Sequence, residues 1–163
     1  MRRLAYAWRC LMRLRATPHE IALGCAAGVF AAFTPFVGLQ ILLAVALALV
    51  LRVNVAAAVL GTFAGNPLSW PAIWAASYVA GAWVLGLDPA VSAEHVSQSA
   101  AVLAAAAADP NPVALDAAAT TLRPHVLPML MGSLLVGLAA AVLSYYPTRR
   151  AVSRFQGRRR MVP

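Results

Sequence analysis

The sequence carries very little charge. Only 11% of its 163 residues are charged, and lysine is absent, so all 13 basic residues are arginine and only five acids oppose them. An average soluble domain has about 25% charged residues, whereas 62% of this chain is apolar. These proportions exclude an ordinary soluble domain and are typical of an integral membrane protein.

The sequence also lacks the residue patterns of a metal site or a catalytic centre. Its two cysteines, Cys10 and Cys25, have no metal-ligand spacing and are not expected to form a disulfide. The histidines at 19, 95 and 125 are too scattered to bind a metal, and no Ser-His-Asp set can be placed. The glycines form no phosphate cradle because no Lys and Ser/Thr follow them. We expect no catalytic residue, no metal, no cofactor and no enzymatic activity.

The net charge of +8 is confined to the ends of the chain. Eleven of the 13 arginines lie in the first twenty or the last fifteen residues, with only Arg52 and Arg123 between them. This distribution argues against nucleic-acid binding and, by the positive-inside rule, places both termini in the cytoplasm of a multi-pass protein with an even number of crossings. The bilayer is the expected partner.

The arm at 2–15 is expected to be a short basic amphipathic helix on anionic lipid head groups, since Leu4, Trp8 and Leu11 have helical spacing among the arginines. The alternative is a solvated charged arm. Arg2-Arg3 does not indicate a cleaved signal, because Glu20 interrupts the apolar stretch of about seven residues or more that a signal needs. The chain is expected to be uncleaved.

The first apolar run begins at a capping box and is too long for a simple crossing. Thr17, Pro18 and Glu20 have the spacing of an N-cap, first helical residue and third helical residue; a proton-relay role for Glu20 is the alternative. The uncharged run 21–51 would be about 45 Å long as one helix, against about 30 Å of hydrocarbon. Pro35 therefore predicts two helices, over 19–33 and 37–51, that meet at Thr34-Pro35-Phe36.

The second apolar run, 53–87, repeats this design. It is broken at 66–71, where two prolines lie four residues apart. Gly28-Val29-Phe30 and Gly61-Thr62-Phe63 are 33 residues apart, and each precedes a proline break. Each run also contains a G-x-x-x-G pair, which predicts close helix packing at Gly24, Gly28, Gly61 and Gly65.

Broken apolar helices in corresponding positions indicate a membrane binding site, since freed backbone groups are tolerated only where protein or water satisfies them. The candidate polar site consists of the residues at and between the breaks: Thr34, Pro35, Gln40, Arg52, Asn54, Asn66, Pro67 and Ser69. For Arg52 and Asn54, the end of a helix at the interface is the alternative explanation. Asn66 has two equally weighted roles, as a cap of freed backbone or as a ligand contact.

The remaining chain divides into an acidic segment, an apolar run and a basic tail. Four of the five acids lie in 88–124, where helices over 92–108 and 113–122 and a turn at 109–112 predict a hairpin outside the bilayer, with an Ala-rich spacer as the alternative. The run 126–146 is about 31 Å long as a helix and ends in Tyr145-Tyr146.

The predicted fold class is an all-α integral membrane protein with two proline-broken hairpin segments, one C-terminal transmembrane helix and short amphipathic helices. Its regions are the interfacial helix 1–16, the membrane core 17–87, the external loop 88–124, the transmembrane helix 125–147 and the cytoplasmic tail 148–163. Within the core, 19–51 either re-enters and returns to the cytoplasmic side at Arg52 or spans the bilayer as a full hairpin. The segment 53–87 then crosses outward and 126–146 crosses back.

An ordered set of short motifs resembles the bacterial membrane family called domain of unknown function 2062. The motifs include Ile21-Ala22-Leu23-Gly24, Thr34-Pro35-Phe36, Gly38-Leu39-Gln40, Leu51-Arg52-Val53-Asn54 and Asn66-Pro67-Leu68. The resemblance covers 17–87 closely and the rest loosely, and the acidic 88–124 departs from it. No activity is established for that family, so it implies no catalytic residues. Its occurrence alone or beside sugar- and methyl-transferase domains implies an envelope or lipid-linked context.

Two functions are expected from these features. The first is a small protein of the bacterial inner membrane that binds or translocates a small solute or lipid at its broken helices, acting as a homo-oligomer because one chain is too small to alternate access alone. The second is a scaffold without transport activity that docks enzymes of the envelope or of lipid-linked glycans.

Overall fold

A computed structural model describes residues 16–36, 38–88, 90–106, 112–113, 116, 120 and 123–160. These residues form helices, with no strand among them, which confirms the prediction of an all-helical chain for the described part. The predicted arm helix over 2–15 lies outside them, as do most of the predicted turn at 109–112 and of the predicted helix over 113–122.

Six α-helices and two 3₁₀ turns account for most of the described residues. In chain order the helices are α1 (Pro18–Ala32), α2 (Leu39–Val50), α3 (Val55–Gly61), α4 (Trp70–Leu85), α5 (Ala90–Ala106) and α6 (Val126–Arg160). The 3₁₀ turn Thr62–Ala64 continues α3, and the 3₁₀ turn Arg123–His125 precedes α6. The chain is therefore interrupted at both expected breaks, between α1 and α2 and before α4.

The N-terminus of α1 is held by the predicted capping box. The Thr17 N–H donates to Glu20 Oε2 at 3.0 Å, and the Glu20 N–H donates to Thr17 Oγ1 at 3.2 Å. These two bonds satisfy backbone donors that the first helical turn leaves unpaired. The capping role of Glu20 is confirmed, and its carboxylate is engaged at the helix end.

Helix α6 is the element that best fits a membrane. It is 35 residues long, or about 52 Å at 1.5 Å per residue. Among the described residues, Arg123–Gly157 is the one helical stretch whose length and composition suffice to cross a membrane, and only 33% of its most apolar window is buried in the protein. Large apolar side chains, such as Leu138 and Leu143, lie exposed on it.

Helix α6 extends beyond the predicted transmembrane segment 125–147. It continues through Pro147 to Arg160, into the predicted tail 148–163, and the membrane boundary at 147 stays a prediction. The reason is tertiary packing: Val152 is fully buried against Ile21 and Ala57. Burial of this segment outweighs the backbone hydrogen bond that proline removes.

The chain divides into two compact units, and the first has a core of small side chains. Of the described residues, this unit contains 16–31, Gly38–Phe63 and 139–160. One of its buried clusters consists of the alanines Ala31, Ala44, Ala48 and Ala58, and the other is centred on Ile21, Ala57 and Val152. Within it, α2 packs against α3. The side chain of Gln156 donates to the Ala16 carbonyl at 3.0 Å, so α1 begins beside the end of α6.

The second unit has an aromatic core. It contains Ala32–Val37 and Ala64–Leu138. Trp70, Trp74 and Tyr78 recur every fourth residue along α4, and the two indoles stack with ring centroids 5.9 Å apart. Val96 of α5 and Met129 of α6 are fully buried in the same cluster. Helix α5 is therefore part of a packed unit, which favours a helix over a spacer for 90–106, whereas the hairpin outside the bilayer stays a prediction.

Candidate functional site

The first break holds a buried polar side chain. Thr34 is only 7% exposed and has an interaction partner. Pro35 beside it is half-buried and Phe36 is exposed. The chain then turns through Gly38, whose φ of 83° lies in the left-handed region that glycine adopts without strain, and enters α2.

The second break is closed by its own side chains. Asn66 Oδ1 accepts hydrogen bonds from the N–H groups of Leu68 at 3.0 Å and Ser69 at 3.2 Å. Ser69 Oγ donates to the Ala64 carbonyl at 2.8 Å and accepts from the Asn66 N–H at 3.0 Å. Both side chains therefore satisfy backbone groups that the interruption of the helix would leave unpaired. Of the two roles expected for Asn66, the capping role is the one these bonds favour.

The two breaks adjoin each other within the second unit. A Cβ built on Gly65 would lie 2.8 Å from the Ala32 Cβ and 2.9 Å from the Ala32 carbonyl oxygen. Ala32 is the last residue of α1, and Gly65 immediately precedes Asn66. The structure thus brings five of the eight candidate residues into two neighbouring breaks: Thr34, Pro35, Asn66, Pro67 and Ser69.

The other three candidate residues belong to the first unit. Asn54 is the N-cap of α3, and its side chain accepts from the Ala57 N–H at 2.9 Å. Arg52 is exposed and has a φ of 54°, a left-handed conformation directly after the end of α2. Gln40 lies half-buried in the first turn of α2. Asn54 and Arg52 therefore occupy helix ends, as their alternative explanation expected.

Three of the four predicted packing glycines lie where α1 and α3 come closest. A Cβ on Gly28 would overlap the Ala58 carbonyl oxygen, and one on Gly61 would overlap that of Cys25. A Cβ on Gly24 would lie 2.5 Å from the Asn54 carbonyl oxygen. Contact positions increase together along both helices, so α1 and α3 run parallel. The spacing of 33 residues between Gly28 and Gly61 is the register of this pair.

A second close contact between helices, which the sequence-based predictions do not include, lies between α4 and α6. In the second unit, a Cβ on Gly81 would overlap the Pro128 carbonyl oxygen, and one on Gly132 would overlap that of Ser77. Here α4 and the start of α6 run antiparallel. Ser77 and Gly81 have the small-xxx-small spacing of helix interfaces, which was the available signal. The Ser77 hydroxyl is fully buried and has no hydrogen-bond partner in the described structure.

Histidine and acidic side chains do not converge on a metal site in the described part of the chain. His19 instead shares a 2.8 Å hydrogen bond with the Tyr145 hydroxyl, which joins α1 to α6 in the first unit. His125 meets the ring of Tyr78 edge-on, with centroids 5.3 Å apart, in the second unit. Both histidines thus contribute to helix packing.

A family model described as an uncharacterized protein conserved in bacteria (DUF2062) matches residues 1–161 of the chain. No curated protein and no solved structure matches it.

Proposed function

We propose that this chain, which belongs to the bacterial DUF2062 family of uncharacterized proteins, is a multi-pass protein of the inner membrane. In this proposal its two adjoining breaks form one site that binds or translocates a small solute or a lipid. The observation that carries the proposal is the contact of Gly65 with Ala32, which pairs the breaks.

A membrane environment accounts for the apolar side chains that α2 and α6 expose away from the two breaks. In the first unit, Leu42, Leu49 and Val50 of α2 are 65%, 63% and 78% exposed. Exposed large apolar side chains of this number are unfavourable in water and favourable in lipid. Helices α1 and α2, at 15 and 12 residues, are about 22 and 18 Å long. Each is shorter than the hydrocarbon core of about 30 Å, as a re-entrant pair requires.

The proposed topology places both arginine-rich ends in the cytoplasm. The bond between Gln156 and the Ala16 carbonyl supports this arrangement, because it holds the start of α1 against the end of α6. Both ends also carry clustered arginines, which favour the cytoplasmic side.

The alternative function is a membrane scaffold that docks envelope enzymes without moving a solute. One observation favours it: Asn66 Oδ1 and the Ser69 hydroxyl form hydrogen bonds within the turn that contains them. Under this alternative the breaks only connect successive helices, and water does not enter them.

Access of water to the breaks separates the two functions. We would place single cysteines at Phe36 and Leu68 in a background with Cys10→Ala and Cys25→Ala. These two side chains are 41% and 91% exposed beside the breaks, and their replacement removes no side-chain hydrogen bond of the turns. The control is Leu143→Cys, 74% exposed on α6 and assigned to lipid. In membrane vesicles, a water-soluble maleimide should label the two break positions at least tenfold faster than the control.

Labelling of Phe36→Cys and Leu68→Cys as slow as that of Leu143→Cys would contradict a water-accessible site and favour the scaffold. Two more exposed positions test the topology in the same experiment: Ala101→Cys on α5 and Gly157→Cys on α6. In intact cells an impermeant maleimide should label Ala101→Cys alone, and Gly157→Cys should react only after permeabilisation. Labelling of both positions in intact cells would contradict the single crossing of α6 between them and, with it, the proposed topology.

A further inference from the structure

An open surface cavity lined by exposed arginine side chains lies on α6 beyond its apolar stretch. It has a volume of about 410 Å³ and is lined by Tyr146, Arg149, Arg150, Ser153 and Arg154. These residues follow one another at intervals of three, one, three and one, which places them on a single face of the helix. All five lie in the first unit. None of them is among the candidate residues at the breaks.

The charges of this cavity are not balanced within the described protein. None of its three guanidinium groups pairs with a carboxylate of the described residues, and the sequence has no acid after Asp116. The Ser153 hydroxyl already donates to the Arg149 carbonyl at 2.8 Å. Arginine stays protonated in proteins and offers only donors. Three positive charges on one helix face repel one another, so a bound anion would stabilise this arrangement.

The chemistry of the lining selects a phosphate group. Guanidinium groups present donors in a planar fork that matches phosphate oxygens bidentately, which a lysine ammonium does not. Tyr146 also lines the cavity, and a phenol hydroxyl can donate a hydrogen bond to a phosphate oxygen.

The position of the cavity along the membrane normal favours the phosphate of a lipid head group. Tyr146 ends the apolar run, where aromatic rings mark the membrane boundary. Arg149 and Arg150 follow about 4.5 and 6 Å further along the axis, within a head-group layer about 5–7 Å deep per leaflet. Helical side chains lean toward the N-terminus of their helix, so Arg154 leans back toward the same layer.

We propose that this cavity binds the phosphate of an anionic phospholipid in the cytoplasmic leaflet. The proposal rests on the membrane placement of α6 given above. It adds a defined lipid site to the general attraction expected of the arginine-rich arm at 2–15, and it fixes the depth of α6 at the membrane surface.

The test uses the full chain in an uncharged detergent and a fluorescent short-chain phosphatidylglycerol, with binding followed by fluorescence anisotropy. Arg149→Gln and Arg150→Gln should each raise the Kd about fivefold, the effect of one arginine near an anionic lipid. Arg123→Gln, which removes one exposed arginine elsewhere, is the matched control and should change the Kd less than twofold. Because these side chains are exposed, the far-ultraviolet circular dichroism should be unchanged.

Arg150→Lys keeps the charge and removes the fork, and it should still weaken binding at least twofold. Full affinity of Arg150→Lys, or equal weakening by Arg123→Gln, would mean attraction by net charge alone and would overturn the site. Displacement of the lipid by inorganic phosphate at a concentration near the lipid Kd would assign the cavity to a soluble anion, and equal binding of phosphatidylcholine would remove the need for an anion. Since the breaks take no part in this assay, its failure leaves the thiol-labelling test intact.

Discussion

The two units of this protein pack helices closely in different ways. In the first, glycines and alanines fill the core: Gly28 and Gly61 bring α1 against α3, and Ala44 and Ala48 are fully buried. In the second, large aromatic side chains fill the core, and Gly81 and Gly132 bring α4 against α6. Close packing in the first unit therefore depends on small residues, whereas in the second it depends on glycines together with large aromatic side chains.

This difference has an energetic consequence. Between helices in lipid, association depends on van der Waals packing and close backbone approach, since lipid is as apolar as leucine. A core of alanines has little side-chain volume to lose, whereas a core with Trp74 has much. We therefore expect the second unit to be sensitive to truncation of side chains and both units to be sensitive to enlargement of their glycines.

The largest expected effect is the truncation of Trp74, which is 2% exposed in the second unit. Trp74→Ala should lower the free energy of unfolding by about 3–5 kcal/mol, because the cavity it leaves cannot close fully. Trp83→Ala on the same helix is the control: Trp83 is 77% exposed, and its loss should cost less than about 0.5 kcal/mol. Thermal unfolding in detergent, followed by circular dichroism, measures both.

The first unit has no counterpart of Trp74 among its described residues. Its largest fully buried side chain is that of Ile21, and Ile21→Val should cost only about 0.5–1.5 kcal/mol. If Ile21→Val destabilised the protein as much as Trp74→Ala, the contrast between the two cores would be wrong.

The next effect is the enlargement of a glycine at a helix contact. Gly132→Ala in the second unit and Gly28→Ala in the first should each destabilise the protein by about 1–3 kcal/mol, because the new Cβ meets a backbone carbonyl oxygen that cannot turn away. Gly157→Ala in α6 is the control, since no atom lies within 4 Å of its Cβ position. It should stabilise the helix by about 0.5–1 kcal/mol.

Opposite signs at Gly132 and Gly157, in one helix and for one substitution, would separate packing from helix propensity. A stabilising Gly28→Ala would show that the first unit can relax its α1–α3 contact, and the comparison of the units would then rest on glycine as well as on aromatic residues.

Features set by local chemistry could be predicted from the sequence. The capping box at Thr17 and Glu20 and the helix breaks near Pro35 and Pro67 involve neighbouring residues only, and the structure has them. The 33-residue spacing of Gly28 and Gly61 was visible too, although its meaning as a parallel register required the fold.

Features set by distant partners could not be predicted. Pro147 argues for the end of a helix by local rules, and only the burial of Val152 against Ile21 explains why α6 continues. The contact of Gly132 with Ser77 joins residues 55 positions apart, with a single glycine on one side and a serine on the other. Of the candidate site, the sequence indicated the polar residues at the breaks, but the bonds of Asn66 within its own turn required coordinates.

The smallest expected effect concerns one asparagine in each unit that accepts backbone N–H groups: Asn54 as the N-cap of α3, and Asn66 in the turn before α4. Asn54 accepts one backbone N–H, and Asn66 accepts two. Asn54→Ala and Asn66→Ala should each cost about 1 kcal/mol. In Asn66→Ala the Leu68 N–H loses its acceptor, whereas the Ser69 N–H still donates to the backbone carbonyl of residue 66 at 2.9 Å. Asn54→Ser keeps a capping oxygen and should recover most of the loss.

Asn66 also decides between the two proposed functions, because a cap and a ligand contact fail differently. A capping residue is needed for its accepting oxygen, so Asn66→Asp should retain most of the stability that Asn66→Ala loses, and thermal unfolding in detergent measures both variants. If Asn66 instead contacts a solute, the Asn66→Ala variant should keep the wild-type stability but fail to restore the wild-type phenotype when it is expressed in a deletion strain. If Asn66→Ala unfolds at the wild-type temperature, the bonds to Leu68 and Ser69 do not stabilise the protein. That result would favour a role of Asn66 in contacting a ligand.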